Sequence, residues 1–390
     1  MFAVQLSTYV PRECGIATFA ADLTEALDGQ DVMEPVRVAA MDDGQKREYP
    51  DRVYWKVAEE ERGAYRETAA MVNESGAALV NIQHEFGIYG GEDGEYLVEF
   101  LRELHEPVVT TLHTVLAKPT AGQLAVTGEI ARRSRYLVVM SQRALSFLVA
   151  LGIDRSKMVV IPHGVPQAPA WSRGQLRNGL GLGGRKVFLT FGLLSPGKGL
   201  EYVLQAIPWV AARHPDVLYL IAGETHPKER RFGDYRRYLQ DRVRELGIEN
   251  HVRFDPVYLS KKRLMEYLVA SDTVITPYLG VEQIVSGTLT YALGFGKAVI
   301  STRYHYATES LRGGKGLLVD FRSAVGIAKA MNRLCANPTL QRKLEARAYD
   351  LGRHFTWPKV SLSYLDLYQE IASENVRPRK YAEGVSIVKG

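Results

Sequence analysis

The chain has 390 residues, of which 46% are hydrophobic and 24% charged, and its formal net charge is +5 at pH 7. This length and composition predict a packed protein of about two domains and argue against a disordered chain. The mild positive charge suits an anionic small ligand or weak peripheral contact with an acidic membrane, whereas the lack of a basic block interleaved with aromatics argues against nucleic acid as a partner.

Targeting and redox features favour a cytoplasmic location. The N-terminal MFAVQLSTYVP begins with a strand pattern and lacks the charged region and long apolar core of a signal peptide. No window approaches the apolar length of a membrane-spanning helix. The two cysteines, Cys14 and Cys335, cannot form a disulfide framework. We therefore expect a cytoplasmic protein.

Short apolar runs alternate with helical patterns through the first part of the chain. These runs are typical of buried parallel strands and lie at 2–6, 36–41, 78–83, 108–113, 136–140 and 158–162. Between the first two, apolar residues recur on one face of a predicted helix: Ile16, Phe19, Ala20, Leu23 and Leu27. The pattern predicts successive βα units.

The alternation stops and then restarts. Residues 165–186 are rich in proline and glycine and poor in apolar periodicity, which predicts a linker. Strands are predicted after it at 187–192, 217–223, 252–257, 273–278, 298–302 and 316–319. Two runs of βα units predict two doubly wound α/β domains. The expected divisions are an N-terminal domain at 1–168, a linker at 169–186, a C-terminal domain at 187–355, a helix at 356–374 that can cross back, and a polar tail at 375–390.

Polar residues follow the carboxyl ends of the predicted strands, where ligands bind in such sheets. If the two sets of strand ends face each other, the site is an interdomain cleft. The strand at 78–83 runs into QHEFGIYGG, in which His84, Glu85 and Gly87 are candidate acceptor contacts. A zinc helix is excluded because no second histidine follows at HExxH spacing.

The strand at 187–192 runs into GLLSPGKG, where a serine and a proline favour a helix start. This predicts Lys198 in the first helical turn, where free N–H groups and the helix dipole favour an anion. Gly192 would let backbone approach a phosphate closely. Gly199 stands where a P-loop needs Ser or Thr for magnesium, so a P-loop NTPase is a poor fit. We favour phosphate binding over a merely solvated lysine.

A second helix start lies in the same predicted domain. Ser286, Gly287 and Thr288 precede an apolar helical run, so their N–H groups form another candidate anion site. Alone, this pattern is equally typical of an ordinary capped helix. Together with Lys198 it suggests a diphosphate held by two helix ends.

The motifs PRECGIATF, IPHGV, FGLLSPGKG and SGTL…ALGFGKAVIS occur in the order and spacing of the retaining glycosyltransferases of family 4. The chain resembles this family from residue 2 to about residue 371. The resemblance implies the GT-B arrangement, two facing Rossmann-like domains with a deep cleft. It also implies transfer of a hexose from a nucleotide sugar, such as UDP- or GDP-hexose, to a carbohydrate, lipid-linked or small-molecule hydroxyl, with retained configuration and without a metal. Glycan biosynthesis is the expected process.

The resemblance assigns roles to several residues. His113 matches a histidine beside the transferred sugar, and Gly15 lies in the first βα loop, where backbone approaches the donor phosphate or the acceptor. The two family glutamates correspond to Gln283 and Tyr291, so Glu282 is expected to take the first role. The expected catalytic set is thus His113, Lys198 and Glu282.

The chain also departs from the family pattern. Leu193 stands where the family has an arginine for the diphosphate, and Arg231, Arg236 or Arg303 could replace it. Because Tyr291 replaces the ribose-binding glutamate, two alternatives stay open at this stage. One is a retaining disaccharide phosphorylase that uses inorganic phosphate, and the other is a non-catalytic sugar-nucleotide-binding protein.

Overall fold

Two parallel β-sheets organise the protein in the computed structural model, which describes residues 1–225 and 234–376. The strands of the first sheet are β1 Ala3–Ser7, β2 Arg37–Asp42, β3 Val53–Ala58, β4 Leu79–His84, β5 Val108–Leu112, β6 Tyr136–Val139 and β7 Met158–Val160. Those of the second are β8 Lys186–Phe191, β9 Val217–Ala222, β10 Val252–Asp255, β11 Thr273–Thr276, β12 Ala298–Thr302 and β13 Leu317–Val319. Their orders are β3-β2-β1-β4-β5-β6-β7 and β10-β9-β8-β11-β12-β13.

Helices connect the strands and cover both faces of each sheet. In the N-terminal domain they are α1 Gly15–Asp28, α2 Arg62–Glu74, α3 Tyr96–Glu103, α4 Ala121–Arg133 and α5 Gln142–Ala150. The remaining helices are α6 Arg173–Gly179, α7 Leu200–Ala211, α8 Tyr235–Glu245, α9 Lys261–Ala270, α10 Gly287–Gly294, α11 His305–Ser310, α12 Ala324–Ala336, α13 Pro338–Gly352 and α14 Trp357–Val376. This is the expected pair of doubly wound domains.

The central strands are continuous apolar runs because helices bury them on both faces. All residues of β1, β4, β5 and β6 are buried, and β1 pairs in parallel with β4, with Leu6 opposite Ile82. The sequence analysis missed β3. Its burial alternates because it is the edge strand of its sheet, so it lacks the continuous apolar run.

The stretch predicted as a linker contains a helix. α6 lies within 169–186 and contacts α9, and Arg173 and Arg177 both donate hydrogen bonds to the carboxylate of Asp272. The sequence analysis did not predict this helix, because ion pairs, which leave no apolar periodicity, hold it to the C-terminal domain.

The last helix crosses back to the N-terminal domain, where α14 packs against α1. Two backbone hydrogen bonds set the crossing: Val165 N donates to Phe355 O at 2.7 Å, and Trp357 N donates to Val165 O at 2.9 Å. Within the two described ranges, no helix combines the length and apolar character needed to cross a bilayer.

Gly352 is a packing constraint that yields a stability prediction. A Cβ at this position would lie 2.1 Å from the backbone oxygen of Leu293, where α13 packs on α10. We expect Gly352→Ala to lower the free energy of unfolding by about 1–3 kcal/mol, because the two helices must separate. Gly128→Ala is the matched control, since a Cβ there meets nothing within 4 Å. It should stabilise α4 by about 0.5–1 kcal/mol. Equal melting temperatures for the two variants would contradict this packing.

Candidate active site

Lys198 faces the start of α10 across the mouth of the second sheet. Its half-buried Nζ lies 3.4 Å from Oη of Tyr278 and 5.0 Å from the centre of that ring. A Cβ on Gly192 would lie 3.5 Å from this Nζ and 3.9 Å from Oγ1 of Thr288, so the three predicted donor-binding residues converge. Across residues 1–225 and 234–376, no carboxylate forms an ion pair with Lys198. Burial lowers the pKa of Lys198 to about 8.

The start of α10 supplies hydrogen-bond donors to the same space. Ser286 is the N-cap, and its Oγ accepts from the backbone N–H of Leu289 at 3.2 Å. The backbone N–H groups of Gly287 and Thr288 have no partner among the described residues. Burial raises the pKa of Tyr278 to about 12, so its hydroxyl stays neutral beside Ser286 and Thr288. The arrangement can hold an anion between one ammonium and two free N–H groups.

The predicted location of Lys198 within an α-helical turn was wrong in detail. Pro196–Lys198 form a separate 3-10 turn, and Gly199 follows with φ of +63° before α7 begins. A Cβ on Gly199 would lie 2.5 Å from the backbone oxygen of Pro277. The glycine therefore lets the turn approach the end of β11, which brings Lys198 beside Tyr278.

His113 lies at the end of β5 in the N-terminal half of the site. Its Nε2 lies 2.9 Å from Oε1 of Gln83, and its ring packs edge-on against Phe19, with centroids 4.7 Å apart. His163 packs on the same Phe19 ring at 5.0 Å. A Cβ on Gly287 would lie 3.2 Å from Nε2 of His163, so His163 links the His113 side of the site to the start of α10.

The predicted acceptor residues separate in the structure. His84 has no exposed surface and lies between Phe86 and Tyr89, with ring centroids at 4.9 and 6.0 Å. The assignment of His84 as an acceptor contact was therefore wrong, because β4 is buried on both faces and the rings of Phe86 and Tyr89 cover this histidine. Glu85 is half-buried and accepts a hydrogen bond from Oγ1 of Thr114 at 2.5 Å, and Gly87 is exposed.

Gly15, Glu282 and Gln283 lie at accessible or partly accessible positions. Gly15 is exposed at the first position of α1, and a Cβ there would meet nothing within 4 Å. Glu282 is exposed, with Oε1 3.7 Å from Nε2 of His305. Gln283 folds onto its own loop, donating from Nε2 to the backbone oxygen of Val285 at 3.0 Å.

The expected arginine replacements are engaged elsewhere or not described. Arg236 donates to Oε1 of Glu224 at 3.1 Å, and Arg303 pairs with Asp320 at 3.3 Å. Arg231 lies outside the described residues. Neither described arginine therefore offers an unpaired guanidinium to the Lys198 site.

Tyr291, which the family resemblance matches to a ribose-binding glutamate, makes a contact between the domains. Its hydroxyl donates to Oδ2 of Asp22 on α1 at 3.2 Å. Nζ of Lys261 lies 2.5 Å from Oδ1 of the same carboxylate, and Nε1 of Trp357 donates to Oδ2 at 3.0 Å. Asp22 is only 5% exposed. This carboxylate thus joins α1 to α9, α10 and α14.

Sequence reasoning selected neither Asp22 nor His163 as a site residue. Asp22 could have been noticed because it is an ionisable residue on the apolar face of α1, three positions after Phe19. His163 was visible as the histidine of IPHGV, at the carboxyl end of the last predicted strand of the N-terminal domain. Each residue makes one contact with the C-terminal domain, Asp22 with Tyr291 and His163 with Gly287, and residue spacing along the chain could not reveal these contacts.

Three buried histidines predict a pH dependence of stability. Burial lowers the pKa of His84 and His113 to about 3 and that of His163 to about 4, from 6.5. The unfolded chain therefore binds more protons below pH 6.5, and the stability of the fold falls as pH drops from there toward these values. Between pH 6.5 and 4.5 we expect His84→Gln to lose about 2 kcal/mol less than wild type in urea unfolding. Identical losses in the two proteins would contradict a buried neutral His84.

The described residues contain no group of three or more His, Cys, Asp or Glu side chains that could hold a metal ion. Metal independence stays a prediction.

Known proteins resemble this chain in sequence and fold. Residues 172–351 match the family model of glycosyl transferases group 1. A phosphatidyl-myo-inositol mannosyltransferase of Mycolicibacterium smegmatis is 28% identical over 291 residues, covering 71% of this chain and 68% of that protein. A D-inositol 3-phosphate glycosyltransferase of Rhodococcus erythropolis is 25% identical over 291 residues, covering 68% and 63%. Anabaena HepE, solved in complex with UDP, shares the fold with a TM-score of 0.75 and 16% identity, covering 95% of this chain and 100% of that one. These matches confirm the resemblance and the fold class.

Proposed function

We propose that this chain, whose residues 172–351 form a glycosyl transferases group 1 domain, is a retaining hexosyltransferase. It would move a hexose from a nucleoside-diphosphate sugar to a hydroxyl acceptor. The observation that supports this most strongly is Lys198, a half-buried ammonium without a carboxylate partner among the described residues, which faces the free N–H groups of α10. A buried cation without a partner is costly unless an anionic ligand completes it.

In the proposed reaction, the bond between the anomeric carbon and the phosphate oxygen breaks while the acceptor oxygen bonds to the same carbon from the same face. The departing phosphate oxygen takes the acceptor proton, so no protein base is required. Lys198 and the N–H groups of Gly287 and Thr288 stabilise the charge that develops on the diphosphate. His113, held neutral by burial and bonded through Nε2 to Gln83, would use Nδ1 to accept a hydrogen bond from a sugar hydroxyl.

Glu282 and Gln283 are proposed to lie beside the transferred sugar. Gly15 would form part of the backbone around the donor phosphate or the acceptor. The acceptor hydroxyl would bind on the N-terminal side, near Glu85 and Gly87. The similar proteins act on phosphatidyl-myo-inositol and on D-inositol 3-phosphate by their names. A carbohydrate or lipid-linked acceptor, with weak peripheral membrane contact, is therefore the proposed partner.

The test is incubation with UDP- and GDP-hexoses and a panel of sugar and inositol acceptors, followed by NMR of the product's anomeric proton. The proposal predicts a glycoside with the anomeric configuration of the donor. A product of opposite configuration would contradict retention. Sugar 1-phosphate formed from a disaccharide and inorganic phosphate would instead identify a phosphorylase, and nucleotide binding without donor consumption would identify a binding protein.

A further inference from the structure

The segment that leads into α10 is anchored in the other domain. We call residues 281–286 the donor loop, because they end at the N-cap Ser286. Ile284 of this loop is only 3% exposed and belongs to the hydrophobic cluster that packs on the N-terminal sheet, while Val285 packs against the same cluster. An apolar side chain from the C-terminal domain thus completes the N-terminal core.

A buried hydrogen bond fixes the backbone of the loop at the same point. The hydroxyl of Ser141, the N-cap of α5, donates to the backbone oxygen of Ile284 at 2.9 Å. The same Oγ accepts from the backbone N–H of Ala144 at 3.2 Å. Ser141 therefore uses its donor and an acceptor lone pair together, one toward each domain.

A carboxylate makes a second connection between the domains. The two oxygens of Glu309, on α11, accept from the backbone N–H groups of Gln142 and Arg143 at 2.9 and 3.0 Å. These groups lie in the first turn of α5, where N–H groups lack partners within the helix and the helix dipole favours a negative charge.

The helix that carries Glu309 also holds the donor loop. At the start of α11, the N–H of His305 donates to the backbone oxygen of Val281, and the N–H of Tyr306 donates to that of Gln283, each at 3.0 Å. A displacement of α11 relative to α5 would therefore also displace the backbone of the donor loop, which ends at Ser286.

We propose that Ser141 and Glu309 are positioning residues that seat the donor loop, so that the start of α10 takes its anion-binding shape only when the N-terminal domain is docked. The expected effect on turnover rests on the proposed function, because transfer from the donor would then require the N-terminal domain to be docked on the donor loop. It uses contacts that neither touch the reacting atoms nor include Lys198.

Hydrogen exchange tests the structural half without any substrate. The variants are Glu309→Ala and Ser141→Ala. The matched control is Ser146→Ala, an exposed serine of α5 whose hydroxyl, among the residues the structure describes, bonds only within its helix, to Gln142 O. We expect the amides of His305, Tyr306 and Leu289, which donate to atoms of the donor loop, to exchange about tenfold faster in the two variants and unchanged in the control. Glu309→Ala leaves the α5 N-cap intact, so a folding defect specific to Ser141→Ala would not obscure the result. Equal protection of these amides in wild type and Glu309→Ala would overturn the inference.

Kinetics test the functional half in the same variants. We expect kcat for transfer to fall about ten- to hundredfold, because a misplaced site loses alignment. The affinity for UDP or GDP should also fall, by about three- to tenfold, because the N–H groups of α10 no longer align with the phosphates although Lys198 remains. Transfer at the wild-type rate in both variants would overturn this inference but would leave the proposed function intact. Failure of the wild-type protein to bind any nucleotide would overturn the proposed function, whereas faster exchange in the variants would still support the coupling between the domains.

Discussion

Replacing Lys198 with alanine is expected to lower kcat/KM for the nucleotide-sugar donor by about 10²–10³-fold, the usual cost of removing one group that stabilises developing charge. The ammonium has no carboxylate partner among the described residues, so its charge is available to a ligand. Its removal strands no carboxylate, and Tyr278 loses only the long hydrogen bond of 3.4 Å from Nζ. The free energy of unfolding of the variant should equal or exceed that of wild type.

The matched control is Lys315→Ala in the same domain, whose Nζ donates only to the backbone oxygen of Arg312 among the described residues. It should leave kcat/KM within about twofold, since an exposed charge is largely screened. The measurement is kcat/KM for the donor in both variants, by steady-state kinetics at one ionic strength. Equal losses in the two, or full activity in Lys198→Ala, would exclude a phosphate role for Lys198.

Removing the Asp22 carboxylate is expected to lower the free energy of unfolding by about 3 kcal/mol. Asp22→Ala strands the buried hydroxyl of Tyr291 and the indole N–H of Trp357, each of which loses its acceptor. The Lys261 side chain is 42% exposed and can regain water, so it contributes less to this cost. The melting temperature should fall, and donor turnover with it, because Asp22 joins the two domains.

Glu25→Ala provides the control for Asp22. Glu25 lies one turn away on α1, and its Oε2 is 3.3 Å from the same Nζ of Lys261, but its side chain is 64% exposed. Its loss should cost less than about 1 kcal/mol, as for other surface ion pairs. Equal melting temperatures of Asp22→Ala and Glu25→Ala would show that the buried hydrogen bonds of Asp22 do not stabilise the contact between the domains.

Burial on both faces explains why most of the fold could be predicted from the sequence. Strands such as β9, buried along their whole length, appear as short continuous apolar runs, and their β-branched and aromatic residues and the glycine that follows favour a strand over a helix. The edge strand β3 lacks that signal because one of its faces is exposed. The polar helix α6 lacks it because ion pairs, rather than apolar side chains, hold it in place.

The candidate site could be predicted only in part. Gly192, Lys198 and Thr288 follow strand ends of one sheet, and parallel strands bring such ends together, so their convergence follows from the topology. His84 and His113 both follow or end strands as well. Which of them faces the core depends on strand alternation and helix coverage. Contacts between the domains, such as Asp22 with Tyr291, involve residues far apart in the chain and leave no local pattern.

Calorimetric titration of wild type and Lys198→Ala with UDP and GDP, and with uridine and guanosine, tests the central claim most directly. The account predicts that wild type binds one of the diphosphates, that Lys198→Ala binds it about a hundredfold more weakly, consistent with a charge-assisted contact of 1.5–3 kcal/mol, and that the matching nucleoside binds both proteins equally. Equal affinity of the two proteins for the diphosphate would contradict the assignment of Lys198 and α10 as the site of the donor phosphates.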